Sequence, residues 1–191
     1  MMKRRCLGTV IIFMFVILLV ITQHFRYPIK PDNSNLKKHI LEWSNRNNRN
    51  NEIPKKDVQI LDWIDFENRR HASILLEGQL GEVRLIKGIN GRYMIESSGH
   101  GTGNFRYRVE EGKKEKHFIF AGKNTDLLIN KISFILEGEE YTINVPKQEY
   151  FMVAFEVNNN IESIFPEAET LRFYDDTGKD ITFDVERNTL E

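Results

Sequence analysis

The sequence predicts a mainly β protein: one N-terminal transmembrane helix followed by an antiparallel β-sandwich or barrel-like domain. Three observations predict it. Lys3, Arg4 and Arg5 precede twenty residues without a formal charge, Cys6 to Phe25. From residue 58 onward the chain becomes a series of short runs of β-branched and aromatic residues. Turns containing Gly, Asn and Asp separate those runs at intervals of about 8 to 12 residues, the spacing of sheet-forming strands.

The first element follows from length and polarity. Twenty helical residues rise about 30 Å, the thickness of a bilayer's hydrocarbon core. The run Val10 to Ile21 holds only Val, Ile, Phe, Met and Leu. A secretory signal would end in a small-residue cleavage pair; Val20-Ile21-Thr22-Gln23 has none, so an uncleaved signal-anchor is expected. The positive-inside bias places Lys3, Arg4 and Arg5 in the cytoplasm and the rest of the chain outside, a single pass through the cell membrane. Phe25 and Tyr27 sit where interfacial aromatic anchors belong. Arg26, Lys30, Lys37 and Lys38 put positive charge on the other flank too. The expected organisation is a cytoplasmic tail (1–5), a transmembrane helix (6–25), a juxtamembrane linker (26–57) and an extracytoplasmic β domain (58–191).

Charge divides along the same line. Residues 1–57 carry eleven Lys or Arg against four Asp or Glu, and residues 58–191 carry sixteen against twenty-four. A basic stalk under a mildly acidic domain suits adhesion to anionic headgroups and disfavours nucleic acid as a partner. The only cysteine is Cys6, so the exported part contains no disulfide.

Within the linker, Leu36, Ile40 and Trp43 recur at helical spacing behind Ser34, which predicts a short helix, lying on the outer leaflet or docked on the domain. Asn45 to Asn51 is polar and aperiodic and reads as a tether. Candidate strands then cover 58–64, 72–77, 80–87, 92–97, 105–110, 117–121, 127–136, 140–145, 150–157, 170–174 and 180–185. Asn90-Gly91 predicts a type I′ hairpin, Gly138 serves the next, and Asp175 to Gly178 the last. One helical turn is expected within 161–169.

The densest glycine cluster, Ser97 to Asn104, provides the best candidate binding loop: Ser98, Gly99, His100, Gly101, Gly103 and Asn104. Asn104 stands where a dinucleotide fingerprint needs a glycine, so the cluster is a loop whose glycines are expected to supply positive φ. Ser98 and His100 lack the flanking glycine of a nucleophile elbow. Gly122-Lys123-Asn124-Thr125 fails as a phosphate loop, because Asn124 replaces the hydroxyl residue and His117 the first glycine. The histidines show no metal-ligand spacing, and Asp175, Asp176 and Asp180 lack the alternation of a calcium loop. No catalytic residue, cofactor or metal is expected. Residues 137–191 hold fourteen carboxylates against four Lys or Arg, which permits an acidic face around Glu137, Glu139, Glu140, Glu167, Glu169, Asp175 and Asp176.

Three segments carry a resemblance: Leu85 to Ile95, Gly99-His100-Gly101 with Phe105-Arg106-Tyr107, and Phe118 to Asp126. Over residues 58–185 the chain resembles uncharacterised single-pass envelope proteins of Bacillus-type Gram-positive bacteria, which have no assigned activity. The resemblance implies an envelope location and a β domain, and transfers no site residue. The expected function is a binding, sensory or accessory interaction module at the cell envelope. Its partners are the lipid bilayer and a protein or other envelope component. The alternatives are an exported enzyme acting on cell-wall polymer or peptide, and a small-ligand-binding β barrel.

Overall fold

A computed structural model describes residues 2–46, 53–112, 114–167 and 169–187, with side chains from Ile12 onward. Strands take up 44 % of the chain, so the protein is mainly β; all pairings are antiparallel and the sheets do not close into a barrel.

Helix α1 spans Met2–Arg26 and α2 spans Leu36–Asn45. The strands are β1 (Val58–Phe66), β2 (Arg69–Leu76), β3 (Gln79–Lys87), β4 (Tyr93–His100), β5 (Phe105–Glu111), β6 (Lys116–Lys123), β7 (Lys131–Leu136), β8 (Glu139–Asn144), β9 (Tyr150–Val157) and β10 (Arg172–Tyr174); α3 (Thr182–Arg187) follows. They form a first sheet, β1-β2-β3-β4, a second, β5-β6-β9, and a third, β10-β7-β8.

The second and third sheets share an aromatic core. Phe118, Phe120, Phe134, Phe151 and Phe173 are all buried there, and the Phe118 and Phe134 ring centroids lie 4.1 Å apart. Alternation directs these residues inward, as in Phe118-Ile119-Phe120, whose middle member turns to the opposite face and packs with Ala121, Met152 and Ile64. That opposite face carries the first sheet, which buries its far side under α2: Leu36 and Ile40 pack on Ile74, Leu76, Val83 and Leu85. Being covered on both faces, β2 shows almost no alternation in burial.

Tight turns set the registers. Glu77-Gly78 and Glu137-Gly138 both adopt positive φ at the two central positions, the pairing that matches hairpin twist. The expected type I′ turn at Asn90-Gly91 is not formed, because only Gly91 has positive φ; Asn90 instead uses its side chain, accepting from Arg92 N and donating to Gln23 O.

Three other expectations need correction. Residues 180–185 are not a strand. Tyr174 and Asp180 form one isolated bridge, Asp180 then accepts the Thr182 N–H, and α3 begins. Residues 127–130 do not extend β7, since Thr125–Leu127 is a 3-10 turn with Asp126 and Leu127 at positive φ. The helical turn expected in 161–169 does not occur among the described residues.

The segment expected as a linker is part of the fold. Ile29 pairs with Tyr93 through both backbone bonds, at 2.9 and 2.8 Å, and is buried with α2 against the first sheet. Arg92 donates to Tyr27 O and Pro28 O, which fastens the end of α1 to β4. Part of the expected tether, residues 47–52, lies outside the described residues; Asn45 and Lys55 on either side of it are joined by two hydrogen bonds, 2.9 and 2.7 Å.

Candidate functional site

The site grows from the alternation of β5. Phe105, Tyr107 and Val109 point into the aromatic core, so Arg106, Arg108 and Glu110 must point to the first sheet. There β2 and β3 present His71 and Ser73 opposite Arg84 and Glu82. A polar layer is thereby enclosed between two sheets.

Glu110 organises it. The residue is 4 % exposed, and its Oε1 lies 2.9 Å from Arg84 Nη1 and 2.6 Å from Arg108 Nε. One buried carboxylate thus holds two guanidiniums, the arrangement that makes their burial tolerable. Arg84 Nε donates to Ser97 Oγ at 2.6 Å. His71 is fully buried with Nδ1 2.9 Å from Glu82 Oε1, while its Nε2 has no hydrogen-bond partner among the described residues. Arg106 donates to Leu80 O at 3.1 Å and to Phe105 O at 2.8 Å.

At the β4 edge of this layer the two sheets leave an open cleft of about 400 Å³. Glu82, Arg84, Arg106 and Arg108 line it together with Ser97, Ser98, Gly99 and His100. Its lining holds three guanidiniums against one carboxylate, or two counting Glu110 behind them, in a domain that is otherwise net acidic.

The structure divides the expected binding loop. Ser98, Gly99 and His100 belong to β4 and form one wall of the cleft. Pairing places Gly99 opposite Glu82, on the side of the polar layer, and places Ser98 and His100 opposite Val83 and Gly81, on the side of α2. Partial burial, then the charges of Lys55 and Arg106, hold the His100 pKa below its ordinary value. Gly101 and Gly103 flank the Arg106 guanidinium, and a Cβ on Gly101 would stand 2.8 Å from Nη2. None of Gly99, Gly101 and Gly103 has positive φ, so the expected reason for these glycines fails, and for Gly101 and Gly103 another replaces it: room for an arginine. Asn104 belongs elsewhere. It borders a separate cavity of about 60 Å³ with Phe105, Leu128, Ile181 and Val185.

His71, Glu82 and Glu110 offer three donor atoms within 4.8 Å of one another, a grouping of metal-ligand types that sequence spacing did not reveal. Arg84 and Arg108 already supply positive charge to Glu110, so the cluster reads as an ion-pair network rather than as a cation site. The expected acidic face is partly consumed by the fold. Glu137 accepts the Glu162 and Ser163 N–H groups, and Asp175 accepts those of Thr177 and Lys179.

Of the expected membrane anchors, Phe25 is 79 % exposed, whereas Tyr27 lies over Gly88, where a Cβ would fall 2.7 Å from its ring. The side chains of Lys3, Arg4 and Arg5 lie outside the described residues. Among the described residues no helix is long and apolar enough to cross a membrane.

Sequence reasoning missed Arg84, Arg106, Arg108, Glu110 and His71. The available signal was Phe105-Arg106-Tyr107-Arg108-Val109-Glu110, where one face of a strand carries two arginines and then a glutamate within reach of its neighbour. No protein family, curated protein or solved structure matches the chain.

Proposed function

We propose that the chain is a membrane-anchored extracytoplasmic binding module of the cell envelope, with the second and third sheets as a sandwich and the cleft between the first and second sheets as its ligand site. The observation that carries the binding reading is the cleft itself: three arginines from two strands, pre-positioned by Glu110, Ser97 and the loop glycines. Such groups recognise and orient a ligand. The contact Ser97 makes is with Arg84 rather than with an imidazole, which favours binding over acyl-transfer chemistry by an exported enzyme.

Anchoring is supported by α1. Ten consecutive apolar side chains, Ile12 to Ile21, are all exposed, a surface that water does not favour and a bilayer would cover. The direct fastening of Tyr27, Pro28 and Ile29 to β4 would then hold the cleft at a fixed height above the membrane.

The test exploits the fact that removing the chain's single native thiol, Cys6, leaves an added cysteine as the sole label site. A cysteine added after Glu191 should react with a membrane-impermeant maleimide in intact cells, in a Cys6→Ser background, and the protein should stay in the membrane fraction after alkaline carbonate washing. Labelling only after lysis, or recovery in the soluble fraction, would reject the reading.

A further inference from the structure

We propose that the cleft binds the phosphoryl group of a soluble phosphoester, held by Arg84, Arg106 and Arg108 with the Ser97 hydroxyl. This deepens the reading of the cleft as the ligand site and rests on it.

Unused donors converge there. Arg84 gives Nε to Ser97 and Nη1 to Glu110, and its Nη2 carries no hydrogen bond among the described residues. Arg108 meets Glu110 through Nε, which leaves both of its Nη groups without a hydrogen bond among the described residues. Ser97 Oγ accepts from Arg84, so its own proton is available to a further acceptor. The side chains of Arg84 and Arg108 are 21 % and 29 % exposed, enough to reach a ligand while remaining largely desolvated.

Geometry favours a tetrahedral oxyanion over a planar one. A carboxylate is satisfied in one plane by a single guanidinium fork, whereas donors arriving from β3, β4 and β5 approach from different directions and match the several oxygens of a phosphoryl group. Charge agrees: Glu110 fixes two guanidiniums, yet three remain against Glu82 and Glu110, so the cleft keeps a positive excess. Arg106 adds its charge without a carboxylate partner, since both of its bonds go to backbone carbonyls.

Position favours a soluble source over a headgroup of the same membrane. Ile29, just past the end of α1, pairs with Tyr93 of β4, and the cleft opens at Ser97 to His100, about 13–23 Å further along the strand at about 3.3 Å per residue.

The experiment is calorimetric titration of the full chain in a neutral detergent with four probes at matched ionic strength: glycerophosphoglycerol, inorganic phosphate, sodium acetate, and vesicles of phosphatidylglycerol against phosphatidylcholine. Glycerophosphoglycerol and phosphate should bind, with acetate weaker by about tenfold or more. Arg106→Gln should weaken phosphoester binding by about tenfold or more at only a modest loss in melting temperature, because it breaks no ion pair and gives up only its bonds to the Leu80 and Phe105 carbonyls. Arg84→Gln should weaken binding likewise but also lower the melting temperature, because it removes the ion pair with Glu110, and Arg172→Gln, on the distant third sheet, should leave binding unchanged. Equal acetate binding, binding to anionic vesicles alone, indifference to Arg106→Gln, or no binding at all would each overturn the proposal. The maleimide experiment is independent of this titration, so an anchored module with a different ligand is told apart from a chain that is not anchored.

Discussion

Nη2 of Arg106 lies 2.8 Å from the place a Cβ on Gly101 would occupy, and Nη1 lies 3.3 Å from the equivalent place on Gly103. The glycines of this loop therefore shape a seat for a guanidinium. A Cβ on Gly99, by contrast, would meet nothing within 4 Å. Gly101→Ala should displace Arg106 and cost its bond to Leu80 O, about 1 kcal/mol. Gly99→Ala should stay within about 0.5 kcal/mol of wild type. Urea titration of the two variants compares them directly, and equal losses would show that backbone conformation, not the arginine, sets the glycines.

Glu110 is the one carboxylate shared by two arginines behind the cleft. Truncation to Ala leaves two half-buried guanidiniums facing each other without compensation. Breaking a fully buried pair costs about 3–5 kcal/mol; Arg84 and Arg108 retain some access to water, so a loss of about 2–4 kcal/mol is expected for Glu110→Ala. Its neighbour Glu111 is exposed on the same strand, and Glu111→Ala should move stability by less than about 0.5 kcal/mol. Chemical denaturation of both proteins tests the contrast. A loss at Glu110 as small as that at Glu111 would mean that the network does not hold the sheets together.

Ten of the eleven expected strands are present because each is a short β-branched or aromatic run bounded by turn residues, a signal that survives in a single sequence even where, as in β2, both faces are buried. Residues 180–185 imitate a strand because Ile181 and Val185, four apart, serve a helix face as well as a strand edge, and the Asp180 cap decides between them. The layering was not legible. Arg106-x-Arg108-x-Glu110 reads as a solvated face, and only the stacking of the first sheet on the second turns that face into an enclosed polar layer. Likewise Leu36, Ile40 and Trp43 announce an amphipathic helix without saying whether lipid or protein covers it. The glycine loop stands out by composition, while its purpose depends on an arginine that lies next to it in space.

The two hairpin glutamates offer a test by acid. Glu77 accepts the N–H groups of Lys56 and Asp57 at 2.6 and 3.0 Å, and Glu137 those of Glu162 and Ser163 at 2.8 and 2.7 Å. Backbone hydrogen bonds from Lys56 and Asp57 lower the Glu77 pKa; for Glu137 the Ser163 side chain and then the Ser163 and Glu162 backbone do so. A carboxylate whose folded pKa is depressed contributes stability above its unfolded value, about 4.3, and loses it as pH falls through the folded value. Melting temperature of the Glu77→Gln, Glu137→Gln double variant should therefore lie below wild type at pH 7, and the gap should narrow below about pH 4.5. A gap that widens with acid would contradict the assignment.

Cleavage within residues 47–52 should not separate the two sides of the chain. A linker that merely connected a membrane helix to a folded domain would release the domain when cut. Here the N-terminal side contributes Ile29, Leu36 and Ile40, each at most 1 % exposed, to the core of the first sheet. Burying three such side chains favours association by about 1.5–3 kcal/mol each. The antiparallel bridge between Ile29 and Tyr93, the Arg92 bonds to Tyr27 and Pro28, and the two bonds between Asn45 and Lys55 add direction to that contact. A site-specific protease sequence inserted between Asn50 and Asn51 makes the cut controllable. After complete cleavage of the purified protein in neutral detergent, the two fragments should co-elute in gel filtration. With Ile40→Asp in the same background, a charge enters the buried seat of α2 and the fragments should part on cleavage. Separation of the fragments without that substitution would show that α2 and the end of α1 are not held by the first sheet, and the cleft would lose its fixed position relative to α1.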